Sequence, residues 1–221
     1  MHPDARNGWH LAHHEGEPEL LGPSDAPGRG LRADWRELRV PGGVQALRGQ
    51  PLGRAVGSQA RTAIDATAGL GFDAFALAAM GLQVEAIERE SWVRELLTRA
   101  HARALADPAL AAVAGRIAIV AADAIAHLAA HAPVDVVLLD PMFPAKRKPD
   151  AKPPKAMQAL AAVVGADDDA EALLLPALRV ASQRVVVKRP RQAPPLGNLK
   201  PAWTIEGKLL RFDVYRGGAP V

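Results

Sequence analysis

The sequence predicts an α/β fold: a mostly parallel seven-stranded sheet with helices on both faces and a C-terminal antiparallel hairpin. Three observations predict it. From Arg61 onward, short apolar runs alternate with stretches of helical spacing, the pattern of a parallel sheet with crossover helices. "RIAIVAA" and "VDVVLLD" are near-continuous apolar runs, as strands buried on both faces require. "AWTIEGKLLRFDVYRG" reads as two strands around a tight turn near Glu206-Gly207-Lys208.

In order along the chain, "RTAIDA" is the first strand, and "TAGLG" turns it into a helix, "FDAFALAAMG", that stops at Gly81. "QVEAIE" is the second strand. "SWVRELLTRAHARALA" carries apolar residues at helical spacing and ends before Asp107-Pro108, where proline forbids continuation. A short helix, "AIAHLAAH", separates strands three and four. "AMQALAAVVG" and "DAEALLLPALRVAS" read as helices, with "DDD" giving the second an acidic start suited to the helix dipole. "QRVVVKR" is the fifth strand, and the hairpin supplies the last two. Residues 61–221 are expected to form this α/β domain, and residues 1–60 a small, partly irregular segment that docks a partner or covers the sheet.

At 221 residues and 49% hydrophobic content the chain can bury a sizeable core. It has no cysteine, which excludes disulfides, thiolate metal sites and a thiol nucleophile. No stretch approaches the roughly 20 apolar residues of a membrane span, and a soluble, cytoplasmic protein is expected. His10, His13 and His14 cluster near the start but have no cysteine or paired-carboxylate motif beside them, so no metal is expected there. The net charge of +3 says little about partners. Its distribution says more: Lys146, Arg147, Lys148, Lys152 and Lys155 fall in one short stretch, and Lys188, Arg189 and Arg191 in another.

Ligands of open parallel sheets bind beyond the carboxyl ends of the strands. Four acids fall there: Asp65, Glu88, Asp123 and Asp140. Gly69 and Gly71 sit where the chain turns from strand to helix, and small residues let backbone approach a ligand. Glu88, at the end of the next strand, is placed to accept hydrogen bonds from both hydroxyls of a ribose, which implies an adenosine-type cofactor. No Gly-Lys-Ser/Thr follows the glycines, which argues against a P-loop. Ala74 as third small residue leaves NAD open. The final hairpin after a fifth parallel strand favours the Rossmann-like class I fold of S-adenosylmethionine-dependent methyltransferases, by fold analogy.

"DPMFP", closing the fourth strand, adds the chemistry. An aromatic amine has its lone pair delocalised into the ring, and a carboxylate or carbonyl accepting its N–H bonds orients it for attack. Asp140 and the carbonyl of Pro141 are candidates for that, and Phe143 offers a face on which an extruded base can stack. Lys146, Arg147, Lys148, Lys188, Arg189 and Arg191 would then hold nucleic-acid phosphates around the base.

These residues resemble the ribosomal small subunit methyltransferase J family, from about Leu31 to the C-terminus: "DATAGLGFDAF", "IERE", "LLDPMFP", "RVVVKRP", "APPL" and "RFDVY" stand in its order. The resemblance implies transfer of a methyl group from S-adenosylmethionine to the N2 amino group of a guanine in 16S ribosomal RNA. The RNA or the small subunit would be the partner, the protein a monomer, and no metal involved. It places Phe72, Asp73, Glu88, Arg89, Asp123, Ala124 and Asp140 at cofactor-binding positions. The chain departs from the family pattern in having Phe72 where arginine is usual and Asp123-Ala124 where a serine pair is usual. Rival readings are a methyltransferase for another amine such as adenine N6, an NAD-dependent oxidoreductase, and an inactive nucleic-acid-binding module.

Overall fold

The computed structural model describes residues 5–38, 43–142, 154–165 and 169–218. The chain begins with an antiparallel hairpin, β1 (His10–His14) and β2 (Glu17–Leu21). Glu15 and Gly16 form its turn with φ of 54° and 77°, the two-residue geometry whose twist matches paired strands. This hairpin has little sequence signal. A glutamate in the left-handed region is uncommon, and "HLAHH" does not alternate cleanly. Helices α1 (Gly43–Gly49) and α2 (Pro51–Val56) follow, with Pro51 at the first position of α2, where a missing N–H leaves nothing unbonded.

The α/β part runs β3 (Thr62–Asp65), α3 (Phe72–Ala79), β4 (Gln83–Ile87), α4 (Ser91–Ala106), α5 (Ala111–Ala114), β5 (Ile117–Val120), α6 (Ala124–Ala130) and β6 (Val134–Leu139). It continues with α7 (Lys155–Val164), α8 (Ala170–Val180), β7 (Ala181–Pro190), β8 (Trp203–Glu206) and β9 (Leu210–Arg216). Among the described residues the large sheet has seven strands in the order β5-β4-β3-β6-β7-β9-β8. The pairs among β3 to β7 are parallel, and β9 joins both β7 and β8 antiparallel. This is the predicted sheet, hairpin included.

One boundary differs. The helix expected to run through Ser182 ends at Val180, and β7 starts at Ala181 with no intervening loop. Ala181 is extended (φ −69°, ψ 120°), fully buried, and paired with Val134 of β6; sheet pairing and burial override the helical pattern of "LRVAS". Asp167 and Asp168 of the expected acidic helix start lie outside the described residues, and Asp169 stands at the N-cap.

Alternation along the strands divides the apolar residues between two layers. On one face Ala63, Val84, Ala86, Val136, Leu138, Val186 and Val214 pack with α3, α4 and residues from the N-terminal segment, Trp9, Leu20 and Trp35. On the other, Ile64, Ile87, Val137, Leu139, Val185 and Val187 pack under α6 and α8. The first layer joins the N-terminal segment to the sheet. Glu17 of β2 receives both Arg99 and Arg103 of α4, and buried Trp35 donates its indole N–H to the Leu70 carbonyl at 2.9 Å while packing on Phe75 with ring centroids 5.3 Å apart.

That tryptophan fixes the residue allowed at position 71. Gly71 has φ 81°, and a Cβ there would lie 2.4 Å from Leu97 and 2.5 Å from Trp35. We expect Gly71→Ala to lose at least ~1–2 kcal/mol from backbone conformation alone and more from the displaced side chains. Urea-denaturation midpoints of the two proteins measure it; equal midpoints would show that the loop repacks freely.

Candidate active site

At the carboxyl ends of β3 to β6 the chain encloses a cavity of about 290 Å³. It lies where the strand order reverses, with β4 on one side of β3 and β6 on the other, the place where open α/β sheets bind ligands. All four strand-end acids, Asp65, Glu88, Asp123 and Asp140, line it. So do Gly69, Phe72, Asp73, Arg89, Ala124 and Pro141. Gly71 does not: its small size serves the packing of Trp35 and Leu97 against the loop.

Backbone bonds just beyond the strands hold these residues in place. Ala66 N–H donates to Leu138 O, Ala68 N–H to Ile87 O and Glu88 N–H to Val120 O, at 3.0–3.1 Å. The Asp140 N–H donates to the Thr67 hydroxyl at 2.6 Å, tying the first strand end to the fourth. Glu88 is buried and accepts the N–H groups of Gly69 at 2.9 Å and Glu90 at 2.7 Å. Two rigid donors thus set the orientation of its carboxylate.

Arg89 crosses the mouth of the cavity. Its guanidinium lies 2.5 Å from Asp169 and 3.6 Å from Asp123, and it holds the Asp169 carboxyl below the usual range. Asp123 also caps α6 by accepting the Ala126 N–H at 3.0 Å, so the helix-cap role and a place in the cavity coexist in one residue. On the remaining wall, Ala156, Met157, Leu160 and Val164 of α7 contribute apolar surface that the sequence reading did not assign to the site.

The second cationic cluster requires correction. Lys188, expected to hold phosphates at the rim, is turned into the cavity, 2.7 Å from Asp73 and 2.8 Å from Asp140. Burial opposes its charge, but Asp73 and Asp140 outweigh burial and hold the ammonium above the usual lysine range. Arg189 is buried, with its guanidinium on the Pro194 carbonyl, which takes it off any phosphate-facing rim. Arg191 is exposed and paired with Glu206 at 2.9 Å. Strand alternation carried the signal: Lys188 follows Val186 on one face, and Arg189 follows Val187 on the other. Phe143, Lys146, Arg147 and Lys148 lie outside the described residues.

Asp65 is the least solvated acid. It is 1% exposed, Oδ1 accepts the Thr67 N–H at 3.3 Å, and Oδ2 is buried without a hydrogen-bond partner. An unpartnered carboxyl oxygen at the base of a cavity, the acids Glu88, Asp123 and Asp140 around it, and apolar walls from Ile87, Ile125 and Leu173 fit a ligand with ammonium and hydroxyl donors at one part and a flat apolar ring at another.

A reversing parallel sheet with a C-terminal antiparallel hairpin, a glycine turn after its first strand and acids at four strand ends is the Rossmann-like class I fold of S-adenosylmethionine-dependent methyltransferases. A family model described as "Putative SAM-dependent methyltransferase" matches residues 32–217. "Ribosomal RNA small subunit methyltransferase J" of Laribacter hongkongensis is 50% identical over 172 residues, covering 76% of this chain and 61% of that protein. The same-named protein of Thioalkalivibrio sulfidiphilus is 42% identical over 207 residues, covering 91% and 79%. The crystal structure of a SAM-dependent methyltransferase from Neisseria gonorrhoeae superposes with a TM-score of 0.74 at 31% identity, covering 100% of this chain and 88% of that one. The chain belongs to the ribosomal RNA small subunit methyltransferase J family. It spans 61–66% of the length of several of the curated relatives it matches.

Burial, reinforced by Asp73 and Asp140, raises Asp65 to about 8. The unfolded chain releases that proton near pH ~4, so between these values the folded state binds more protons. Stability from this group is fully present below pH ~4 and is lost as pH rises toward about 8. We expect Asp65→Asn, which has no proton to lose, to show a flatter stability profile across this window and to gain on the native protein at its upper end. Urea midpoints measured at intervals from pH 4 to 8 test it; parallel profiles would mean that Asp65 ionises normally.

Proposed function

We propose that this protein transfers a methyl group from S-adenosylmethionine to the exocyclic N2 amino group of a guanine in 16S ribosomal RNA. The observation that carries the proposal is the convergence of Asp65, Glu88, Asp123 and Asp140, with Pro141 and Lys188, on one cavity at the strand ends. Membership of the family supports the choice of RNA and base, because the curated relatives carry ribosomal RNA small subunit methyltransferase in their names.

The residue roles follow from position and chemistry. Glu88, held by two amides, accepts the ribose hydroxyls, and Asp123 with Ala124 meets the adenine edge. Asp65, Gly69, Phe72 and Asp73 surround the amino-acid end, and Arg89 closes the mouth. When bound, S-adenosylmethionine supplies an electrophilic methyl group on a sulfonium, so the transfer itself calls for neither a metal nor a covalent enzyme nucleophile. The protein's task is alignment in a dry, charged site. Asp140 and the carbonyl of Pro141 accept the amine N–H bonds and aim its lone pair. Lys188, 2.8 Å from the Asp140 carboxylate, fixes it between strand ends, a positioning role.

Phe143 is assigned the stacking face for the base, and Lys146, Arg147 and Lys148 phosphate contacts. Arg191 shares that role at the surface, whereas Lys188 and Arg189 do not. No described helix is long and apolar enough to cross a membrane. We read residues 61–221 as the methyltransferase domain and residues 1–60 as the segment that braces it. The protein is proposed to act as a cytoplasmic monomer on the rRNA or the small subunit.

The test is transfer of labelled methyl from S-adenosylmethionine to small subunits lacking the modification, followed by nucleoside analysis. N2-methylguanosine is expected; N6-methyladenosine would move the assignment to the other amine. Asp140→Ala should cut transfer by roughly 10²-fold or more in a protein that still folds and binds cofactor. Glu88→Ala should raise the cofactor dissociation constant roughly tenfold or more, read by equilibrium dialysis; an unchanged constant would remove Glu88 from the ribose.

A further inference from the structure

We propose a second site, for one zinc-class divalent transition-metal ion, built from Glu85, His127 and His131. It lies on the sheet face covered by α6 and α8, outside the methyltransferase cavity. Glu85 alternates with Ile87 along β4 and so faces the layer that contains α6. His127 and His131 are four residues apart, one turn along the end of α6, with ring centroids 5.1 Å apart.

The donor atoms converge. His127 Nε2 is 3.0 Å from Glu85 Oε2, and His131 Nε2 is 3.1 Å from Oε1; the three groups present donors within 4.8 Å of one another. Zinc binds imidazole nitrogen at ~2.0–2.1 Å in tetrahedral geometry, which places neighbouring donors about 3.3 Å apart. Small side-chain adjustments therefore bring all three onto one ion and leave a fourth position for water.

Hydrogen bonding around the ring points the same way. His131 Nδ1 lies 2.6 Å from the Ala132 carbonyl. A carbonyl only accepts, so Nδ1–H donates to it and Nε2 is the nitrogen left to face His127 and Glu85; an ion bound there would take the place of the proton that Nε2 shares with Glu85 Oε1. A backbone carbonyl on the far nitrogen is the usual way a metal-binding imidazole is fixed in tautomer and angle. Two imidazoles and one carboxylate suit zinc and its neighbours rather than magnesium or calcium. Partial exposure of all three side chains, 19–35%, gives an ion a route in.

Bound there, the ion would tie the end of α6 to β4. The start of α6 follows Asp123, and β4 leads into Glu88, so the tie would brace two cavity acids from outside and take no part in transfer. The experiment is calorimetric titration of untagged, chelator-stripped protein with zinc chloride, paired with thermal melting. One ion per chain and a raised melting temperature are expected. His127→Gln and His131→Gln should each weaken binding roughly tenfold or more, while His13→Gln, in the N-terminal cluster, should leave it unchanged. Glu85→Gln, which keeps a hydrogen-bonding oxygen toward the rings, serves if either histidine variant fails to fold. No saturable binding, or unchanged affinity in the Glu85, His127 and His131 variants, overturns the site and leaves a hydrogen-bonded triad.

Discussion

The structure turns on how one half-buried ammonium compensates a crowd of carboxylates. Parallel strands deliver their last residues to the same small volume, and those around Lys188 include the acids Asp65 and Asp140, joined by Asp73 from the helix after β3. Lys188 reaches two of them directly at 2.7–2.8 Å, and the third, Asp65, is buried, which favours its protonated form. Removing Lys188 would leave two neighbouring carboxylates without their counter-charge, and an uncompensated charge held away from water is costly. The cost is retained where charge is useful, beside a cationic ligand and a reacting amine.

Much of this was legible in the sequence, for identifiable reasons. Short apolar runs such as "VDVVLL", bounded by turn residues, read as central strands, and each ends on a residue that leaves the sheet beside its neighbours, which is where the four acids fall. Lys188 and Arg189 were misread because "VVVKRPR" looks like a strand running out into a basic surface. The strand continues to Pro190 and keeps its alternation, which points one cation inward and buries the other. The wall supplied by α7 was also illegible, since nothing in "AMQALAAVVG" says which partner its apolar stripe meets. Glu85, His127 and His131 escaped notice because a pair of histidines one helical turn apart has meaning only when a third ligand arrives from a strand about forty residues earlier.

The N-terminal hairpin was hidden for a different reason. Its turn uses Glu15 in a conformation that favours asparagine or glycine, so propensity argued against it and tertiary contacts decide. Glu17 receives two arginines from α4, and Trp9 and Leu20 join the main apolar layer. Trp35 then extends this influence to the cavity: its indole holds the Leu70 carbonyl, one residue beyond Gly69, whose N–H in turn holds Glu88. A residue remote in sequence thus sets the shape of the glycine turn through two hydrogen bonds in series.

The direct passage from α8 into β7 has a mechanical consequence. With no loop between Val180 and Ala181, the residue that follows the helix is already held by the sheet, paired with Val134. Asp169 rides at one end, over the mouth of the cavity, and Lys188 near the other, on its floor. One continuous run of chain thus spans the cavity from the carboxylate that meets Arg89 at its mouth to the ammonium between Asp73 and Asp140 at its floor.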